Sequence, residues 1–484
     1  MEAGYAKRWF ALPVIMSAFF MYAFDAQVVN VALPSLERNL HAGHAELELV
    51  VGGYVFVYAA ALVTGGRLGD MVGHRRMFLL GMAGFTVASA LCGLAQTAGQ
   101  LVGSRLLQGL TAAAMVPQML ALVTVIFPAP ERPRALAWYG VTAGLAGVFG
   151  QILGGLLLVV DVLGLGWRTI FLLNIPVGVV VLAFALKLLP RTAPARKARL
   201  DLVGVLGVSA ALGLALVPLV FGRGLGWPLW IWLFLVVAAP VLWLTLRWER
   251  GLAASGGQPL LDLTLFRSRV FNLGMGMNAA FMLFFMSTSF VLALFLQSGL
   301  GLSPLQAGLC FVPLAVFATI TSLVGRGLIA KFGLRVMTVG AAITSSSVLV
   351  IALALDLGGG GVPIWSLALA TSLMGLGNGL ILPSLVGVPL SAIEPAQAGA
   401  ASGMLSTFQQ FASVTGIAVI GTLFLAQLDG GTGAAAYARA AEVSSWVTVG
   451  IVVVMTIMVH LVTRAAARAK AEAARVPATV SDDA

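Results

Sequence analysis

Apolar runs of about twenty residues recur along this chain, each closed by a short stretch rich in glycine, proline or charge, and this repetition constrains the fold more than any other feature. A run of that length is what an α-helix needs to cross the hydrocarbon of a bilayer. Punctuation by Gly, Pro and charge places helices near 10–33, 47–66, 77–96, 99–126, 135–160 and 168–189, then 202–221 and 229–247. Six more follow near 270–296, 304–328, 336–355, 364–388, 399–427 and 445–463. Fourteen such spans use roughly 280 residues, which suits a chain of 484 residues that is 60% hydrophobic and 10% charged. A soluble domain of this size does not carry that balance, so the chain reads as an all-α polytopic membrane protein. Long alternating strands are absent, which argues against a barrel. The first run is too long for the apolar core of a cleavable secretory signal and reads as a span.

The spans group as six, two and six. The expected organisation is an N-terminal six-helix bundle over 1–190, two inserted helices with their flanking loops over 191–268, a C-terminal six-helix bundle over 269–463 and a tail over 464–484. The inserted spans carry almost no polar side chains in their middles, so a peripheral, lipid-facing place is expected for them. The tail is Ala-rich with Arg and Lys and reads as a surface helix able to contact anionic lipid.

A net charge of +10 in a soluble protein would point to nucleic acid, but here the basic residues follow the loops. Of the 28 Lys and Arg residues, only Arg38, Arg168, Arg223 and Arg439 fall on one set of alternate loops. The other set holds Lys7, Arg8, Arg67, Arg75, Arg76 and Arg132, and continues through Arg196, Lys197, Arg199, Arg335 and Arg475. The loop near Glu394 alone in that set lacks a basic residue. By the positive-inside rule both termini are cytoplasmic, the span count is even, and the expected location is the cell membrane. Nucleic acid is not an expected partner.

One carboxylate lies where a bilayer should exclude it. Asp25 falls inside the apolar run from Phe10 to Pro34, with Gln27 and Asn30 close by. An acid at the centre of a membrane helix costs about 2.5–3.5 kcal/mol on insertion scales, so such a residue normally faces a protein interior or a water-filled path. Asp25 is therefore a functional candidate before any comparison is made.

The two six-helix blocks also echo each other. Gly66-Arg67-Leu68-Gly69-Asp70-Met71-Val72-Gly73-His74-Arg75 follows the second span, and Arg326-Gly327-Leu328-Ile329-Ala330-Lys331-Phe332-Gly333-Leu334-Arg335 follows the tenth. Aligned on Gly73 and Gly333, both keep a Gly-x-Arg ending, whereas Ala330 replaces Asp70. Internal repetition of this kind is typical of transporters.

Several stretches resemble the major facilitator superfamily, specifically its fourteen-helix drug:proton antiporter branch. Asp25-Ala26-Gln27-Val28-Val29-Asn30-Val31-Ala32-Leu33-Pro34 is similar to the branch's first-helix signature, with Gln27 where Thr is usual. Gly66, Leu68, Asp70, Gly73 and Arg75 match the superfamily's cytoplasmic loop between helices 2 and 3. Arg105-x-x-Gln108-Gly109 resembles its helix 4 arginine motif. Gly140, Gly144, Gly147, Gly150, Gly154 and Gly155 resemble the helix 5 antiporter motif, with Gln151 at the usual proline. Trp167-Arg168-x-x-Phe171-x-x-Asn174-x-Pro176-x-Gly178 has the form typical of helix 6 in this branch. In the second half, Gln297, Gly301, Ser303-Pro304, Ala307-Gly308 and Pro313, then Gly399 and Ala401-Ser402-Gly403, continue the similarity.

The resemblance implies a major facilitator fold and a monomeric, proton-driven exporter of drug-like or antibiotic-like small molecules that needs no cofactor. It ties Arg105 to proton transfer with Asp25. Depth agrees: at about 1.5 Å per residue, Asp25 lies roughly 13 Å inside Pro34 and Arg105 roughly 8 Å inside Gln100, so the two can pair. It makes Gly66, Asp70, Gly73 and Arg75 a gating latch, in which Asp70 would meet a helix N-terminus or an arginine across the bundle. Gly150, Gly154 and Gly155 would supply a bending or sliding surface, softer without the proline.

Substrate contacts are less determined. Gln27, Asn30, Gln108 and Gln151 are candidates from the first half; Asn278, Phe281, Phe285, Gln409 and Gln410 are candidates from the second. Phe281 and Phe285 are four apart and share a helical face with Asn278. No acid falls within the spans of the second half, since Asp356 and Glu394 lie at helix ends. Cys92 and Cys310 read as packing residues, and His41 and His44 as a solvated loop rather than a metal site. His74 takes a position where the family usually has Arg, and His460 sits near a helix end; neither points to catalysis. A proton-coupled importer of peptides or metabolites is the alternative, although the Glu-rich first-helix signature of peptide symporters is missing. An enzyme would need a nucleophile with a base or a cluster of metal ligands, and a channel ordered polar rings; neither pattern is visible.

Overall fold

The computed structural model describes residues 5–42, 46–47, 49–128, 130–160, 164–192, 201–222, 226–257, 259, 261, 263–391, 393, 397–428 and 433–473. His44, Arg196, Lys197, Arg199, Arg223, Glu394 and Arg475 lie outside these residues, as do the side chains of Asn30 and Gln151.

Among the described residues, fourteen helices of fifteen residues or more can be followed. In the first half they are α1 (Arg8–Leu40), α2 (Tyr54–Val72), α3 (His74–Leu94), α4 (Ala98–Ile126), α5 (Arg132–Val160) and α6 (Asn174–Leu188). Next come α7 (Leu202–Phe221) and α8 (Leu229–Ala254). The second half holds α9 (Arg269–Leu294), α10 (Pro304–Phe332), α11 (Arg335–Gly358), α12 (Ile364–Ser391), α13 (Ala398–Leu428) and α14 (Ala434–Ala473). Among the described residues there are twelve segments long and apolar enough to cross a membrane, eleven on single helices with their flanking turns and one, Gly166–Leu188, formed by α6 with the short helical turns that precede it. The other two, α5 and α7, hold the shorter apolar stretches Leu145–Leu157 and Val203–Pro218.

Local chemistry sets several helix starts. The Thr97 hydroxyl accepts from the Gln100 N–H at the head of α4, and Ser303 and Gln306 form a reciprocal capping box at the head of α10. Asp201 caps α7 and Ser268 caps α9. The two glycines that align between the halves share a conformation. Gly73 has φ +97° between α2 and α3, and Gly333 has φ +68° between α10 and α11. Side chains rarely tolerate positive φ, so both turns depend on glycine.

Helix pairing repeats between the halves. In the first, α1 packs on α5, α2 and α3 on α4, and α3 on α6; in the second, α9 packs on α13, α10 and α11 on α12, and α11 on α14. The halves meet along two seams, α5 against α10 and α12, and α2 against α13. One apolar cluster runs across the seams, joining Met21, Met119 and Phe127 to Phe271, Met404 and Leu405. Trp9, near the start of α1, packs on this cluster, so the halves are sealed at the end that carries the chain's first helix start. Two other large clusters stay within one half each. At the same end Arg8 holds Glu131 with two hydrogen bonds of 2.8 Å, tying α1 to the entry of α5. The guanidinium keeps the Glu131 carboxyl below the usual carboxylate range.

The inserted helices divide their roles. α8 turns Trp230, Trp232, Leu233, Val236 and Trp243 outward, the lipid-facing place expected of both. α7 departs from that expectation: it lies over the seam where α2 meets α13, with Leu216 packed against Ala59 and Val414 and the Ser209 hydroxyl donating to the Ala60 carbonyl at 3.0 Å. Small residues along α7 permit the close approach. Asp201 accepts from the Trp248 indole at 3.1 Å, which ties α7 to α8 at one end, and the buried Glu249 accepts from the Leu261 N–H, which ties α8 to the segment that follows it.

Candidate functional site

Asp25 is fully buried and saturated with donors. Its Oδ2 accepts from Nη1 of Arg105, and its Oδ1 accepts from the amides of Gln108 and Asn174, each at 3.0 Å. Ser89 backs the arrangement, its hydroxyl oxygen accepting from Gln108 at 2.8 Å and from Asn174 at 3.3 Å. Four helices, α1, α3, α4 and α6, thus converge on one carboxylate. A buried charge is tolerable when it is paired and hydrogen-bonded, and both conditions hold here, with three donors on the two oxygens.

Arg105 is fixed from three further directions. Its Nε donates to the Val50 carbonyl at 2.9 Å, an oxygen presented by the π-helical turn Leu49–Gly53 ahead of α2. Nη1 also donates to the side-chain amide oxygen of Gln108 at 2.8 Å. The guanidinium carbon lies 3.9 Å from the Tyr54 ring centroid and 5.8 Å from that of Phe171. Gly109 explains how Tyr54 comes so near, because a Cβ there would stand 2.5 Å from the Tyr54 carbonyl oxygen. Nη2 is buried without a hydrogen-bond partner among the described residues, facing ring surface instead.

From this cluster a chain of contacts leads toward the seam. The Tyr54 hydroxyl donates to the Tyr22 carbonyl at 3.2 Å, the Tyr22 ring stacks on Tyr58 with centroids 3.9 Å apart, and the Gln410 amide donates to the Tyr22 hydroxyl at 2.6 Å. Tyr58 and Gln410 line a cavity between the halves, together with Phe19, Tyr139, Ser406 and Gln409. Gln409 donates to Asn278 at 2.6 Å, and Asn278 donates to the Leu385 and Gly274 carbonyls.

The remaining sequence candidates fall elsewhere. Gln108 belongs to the carboxylate cluster and not to the cavity wall. Gln27 is half-buried and faces Gly150, where a Cβ would stand 2.7 Å from the Gln27 Cβ, so this glycine brings α5 onto α1 just past Asp25. Gly154 and Gly155 are buried. Phe281 and Phe285 stack with centroids 5.9 Å apart and pack into the apolar cluster of the second half. They do not line the cavity.

In the last turns of α2, Asp70 has local partners, Arg67 Nη1 and His74 Nε2, both at 3.7 Å, so the stretch expected as a loop is largely helical. The Gly73 turn folds His74 back toward the end of α2, and its Nδ1 meets the side-chain amide oxygen of Gln118 on α4 at 2.9 Å, so among the described residues the ion-pair partners of Asp70 are sequence neighbours rather than an arginine across the bundle. Gly66 faces Pro117, and Arg75 joins α3 to the end of α6 by donating to the Leu186 carbonyl at 2.7 Å. Sequence reasoning missed Ser89, Tyr22 and Tyr54, and named Asn174 without a role. Polar positions recurring inside apolar spans were the available signal. Among the described residues no group of three or more His, Cys, Asp or Glu side chains is arranged to hold a metal.

The family model described as Major Facilitator Superfamily matches residues 15–202 and 197–417. The chain belongs to the Major Facilitator Superfamily. Among relatives in this superfamily, the probable actinorhodin transporter of Streptomyces coelicolor is 37% identical over 88% of this chain and 74% of its own length. The tetracenomycin C resistance and export protein of Streptomyces glaucescens is 30% identical over 87% of this chain and 77% of its own. The cephamycin export protein of Amycolatopsis lactamdurans is 34% identical over 85% and 84% respectively. A crystal structure of the human organic anion transporter MFSD10 matches with a TM-score of 0.64 at 17% identity, covering 93% of this chain and 99% of that one. At that identity the likeness establishes the major facilitator fold alone, in a multi-pass membrane protein.

Proposed function

We propose that this protein is a proton-coupled efflux transporter that moves drug-like or antibiotic-like amphipathic small molecules out of the cell by alternating access. The observation that carries the reading is the buried Asp25–Arg105 pair, linked through Tyr54 and Tyr22 to a cavity at the seam of the halves. The printed names of the relatives, which include transport, resistance and export of antibiotics, support the direction and the substrate class.

In this reading all fourteen helices cross the membrane, both termini are cytoplasmic, and the halves 1–190 and 269–463 rock against each other. The apolar cluster that seals the halves lies on the cytoplasmic side, so the described state is closed to the cytoplasm. A carboxylate binds a proton more readily when it is buried alone and less readily beside a guanidinium. Rocking that changes the Asp25 to Arg105 separation therefore loads a proton on one side and releases it on the other. Gln108 and Asn174 keep the carboxylate oriented through both states. Gly66, Asp70, Gly73 and Arg75 form the cytoplasmic latch, and Gly150, Gly154 and Gly155 the sliding face of α5. Gln409, Gln410 and Asn278 form the polar side of the substrate path; Gln27, Asn30, Gln151, Phe281 and Phe285 border it in other states. The proton gradient is the energy source, the transporter works as a monomer, and the basic end of α14 contacts lipid.

Purified protein in liposomes tests this. With an imposed pH gradient, wild type exchanges protons for a panel of lipophilic antibiotics, and Asp25→Asn binds them but shows no gradient-driven flux. Undiminished gradient-driven flux by a correctly inserted Asp25→Asn protein defeats the coupling role. Gradient-driven accumulation in the importing direction defeats export.

A further inference from the structure

The hydrogen-bond directions around His74 are set by Gln118 of α4. The Gln118 amide nitrogen donates to two backbone carbonyls, Gly65 at 2.8 Å and Ala114 at 3.0 Å, so the amide oxygen is the atom turned toward His74. Flipping the amide would set that oxygen against both carbonyls. Gly69 gives the amide its place, because a Cβ there would collide with the Gln118 oxygen. An oxygen that only accepts requires a donor, so Nδ1 of His74, 2.9 Å away, carries a proton. Nε2 of the same ring lies 3.7 Å from Oδ1 of Asp70. In a neutral imidazole with its proton on Nδ1, Nε2 turns a lone pair to that carboxylate; in an imidazolium it turns a proton to it.

Few other charges surround the ring. Arg67 of α2 lies 3.7 Å from the second oxygen of Asp70. On α3, Arg75 reaches away to the Leu186 carbonyl and Arg76 is exposed, as are Lys187 and Arg191 at the end of α6. Among the described residues, α4 carries no charge besides Arg105, roughly three and a half turns away. Neither α7 nor α13, which also pack on α2, carries any.

We propose that His74 is a second proton-binding site of this protein, doubly protonated while the halves are sealed, and that losing the proton frees the end of α2 from α4. Only the imidazolium can donate to Gln118 and face Asp70 favourably at once, which ties α2 to α4 through the head of α3. A guanidinium here would be charged at every pH, whereas an imidazole changes charge between about pH 5 and 8. The tie lies against the seal, since Phe78, one turn beyond His74, and Met119, beside Gln118, belong to the apolar cluster that joins the halves. Acid on this side therefore holds the described state, and alkali releases it. That this side is the cytoplasm rests on the export reading. The site is then a brake: protons brought in by transport slow the reopening that the next cycle needs.

Solid-state NMR of the full chain in lipid nanodiscs, labelled with 15N-histidine, tests the site without any transport. The chain has four histidines, and the His74 signals are those lost in His74→Gln. At about pH 6 both ring nitrogens carry protons, and at about pH 9 the remaining proton is on Nδ1, whereas a solvated ring favours Nε2. A His74 ring that is singly protonated at about pH 6, or that keeps its high-pH proton on Nε2, overturns the proposal. In liposomes under a gradient of constant size, raising the pH on the side of the termini from about 6 to 8 increases wild-type flux relative to His74→Arg by about threefold or more. A constant ratio, with a His74→Arg protein that elutes as wild type, overturns the brake. Should these variants not fold, Gln replacements of the other three histidines assign the signals by elimination, and the NMR result decides. The expected signals without gradient-driven flux defeat the export reading and leave the site standing, whereas flux with the wrong tautomer does the reverse.

Discussion

The guanidinium carbon of Arg105 lies 3.9 Å from the centroid of the Tyr54 ring, on a side chain whose Nη1 also engages the buried carboxylate of Asp25. Arg105 is thereby gripped by an acid and by a ring that belongs to a different helix. A desolvated contact of this type is worth about 2 kcal/mol. Tyr54→Phe keeps the ring and loses only the hydroxyl bond to Tyr22, so gradient-driven flux in liposomes should stay within a few-fold of wild type. Tyr54→Leu removes the ring face and should cut that flux by roughly tenfold or more.

The Asp25–Arg105 pair also makes a stability prediction. Removing one member of a buried pair strands the other and costs about 3–5 kcal/mol, whereas removing both charges together costs far less. Arg105→Ala should therefore lower the thermal unfolding midpoint in detergent markedly. The double variant Asp25→Asn with Arg105→Ala should recover much of that loss without recovering proton-driven flux. Equal midpoints for the single and double variants would contradict the burial of an ionised pair.

Close approach at Gly109 is what brings α2 under Arg105. A Cβ at this position would meet the Tyr54 carbonyl oxygen at 2.5 Å, whereas at Gly103 on the same helix nothing lies within 4 Å. Gly109→Ala should push the helices apart and reduce both the unfolding midpoint and flux, with Gly103→Ala close to wild type in both.

The Arg8–Glu131 contact carries a pH signature. Its folded carboxyl titrates below the unfolded value of about 4.3, because Arg8 hydrogen-bonds the ionised form. The contribution is therefore present above that unfolded value and is lost as pH falls through the lower folded one. Hydrogen exchange at the start of α1 should quicken on acidification through this window. Glu131→Gln should be fast at every pH, and added salt should shrink the difference, since both side chains are partly exposed.

What could be read from the sequence divides along a physical line. Asp25 stood out because an ionisable group inside an apolar span is costly, whereas the family resemblance pointed to Arg105, with helical depth in agreement. Asn174 and Ser89 did not stand out, because a neutral polar side chain in a span has many ways to be satisfied; the Asn174 bond to Asp25 joins residues 149 apart in sequence. Helical spacing placed Phe281 and Phe285 on one face, and they do stack, but spacing cannot tell which neighbour that face meets. The partners of Asp70 followed from the backbone at Gly73, whose positive φ folds His74 back onto α2. Gln409 and Gln410, named from the sequence, do line the cavity, whereas Tyr58 on its wall and Tyr22 behind it were not legible, since Tyr22 meets Gln410 only when α13 of the other half lies beside it.

The position of α7 has a mechanical consequence. It rests on both α2 and α13, so when the halves rock it must ride with one and slip past the other. The hydrogen bond from Ser209 to the Ala60 carbonyl anchors it to the first half. Among the described residues its packing against the second half, Leu216 on Val414, is apolar. In the alternating-access reading proposed above, α7 would travel with α2 while α13 slides past it. Among the described residues neither inserted helix packs closely on the α5–α10 flank, so the two flanks of the molecule present different faces to their surroundings.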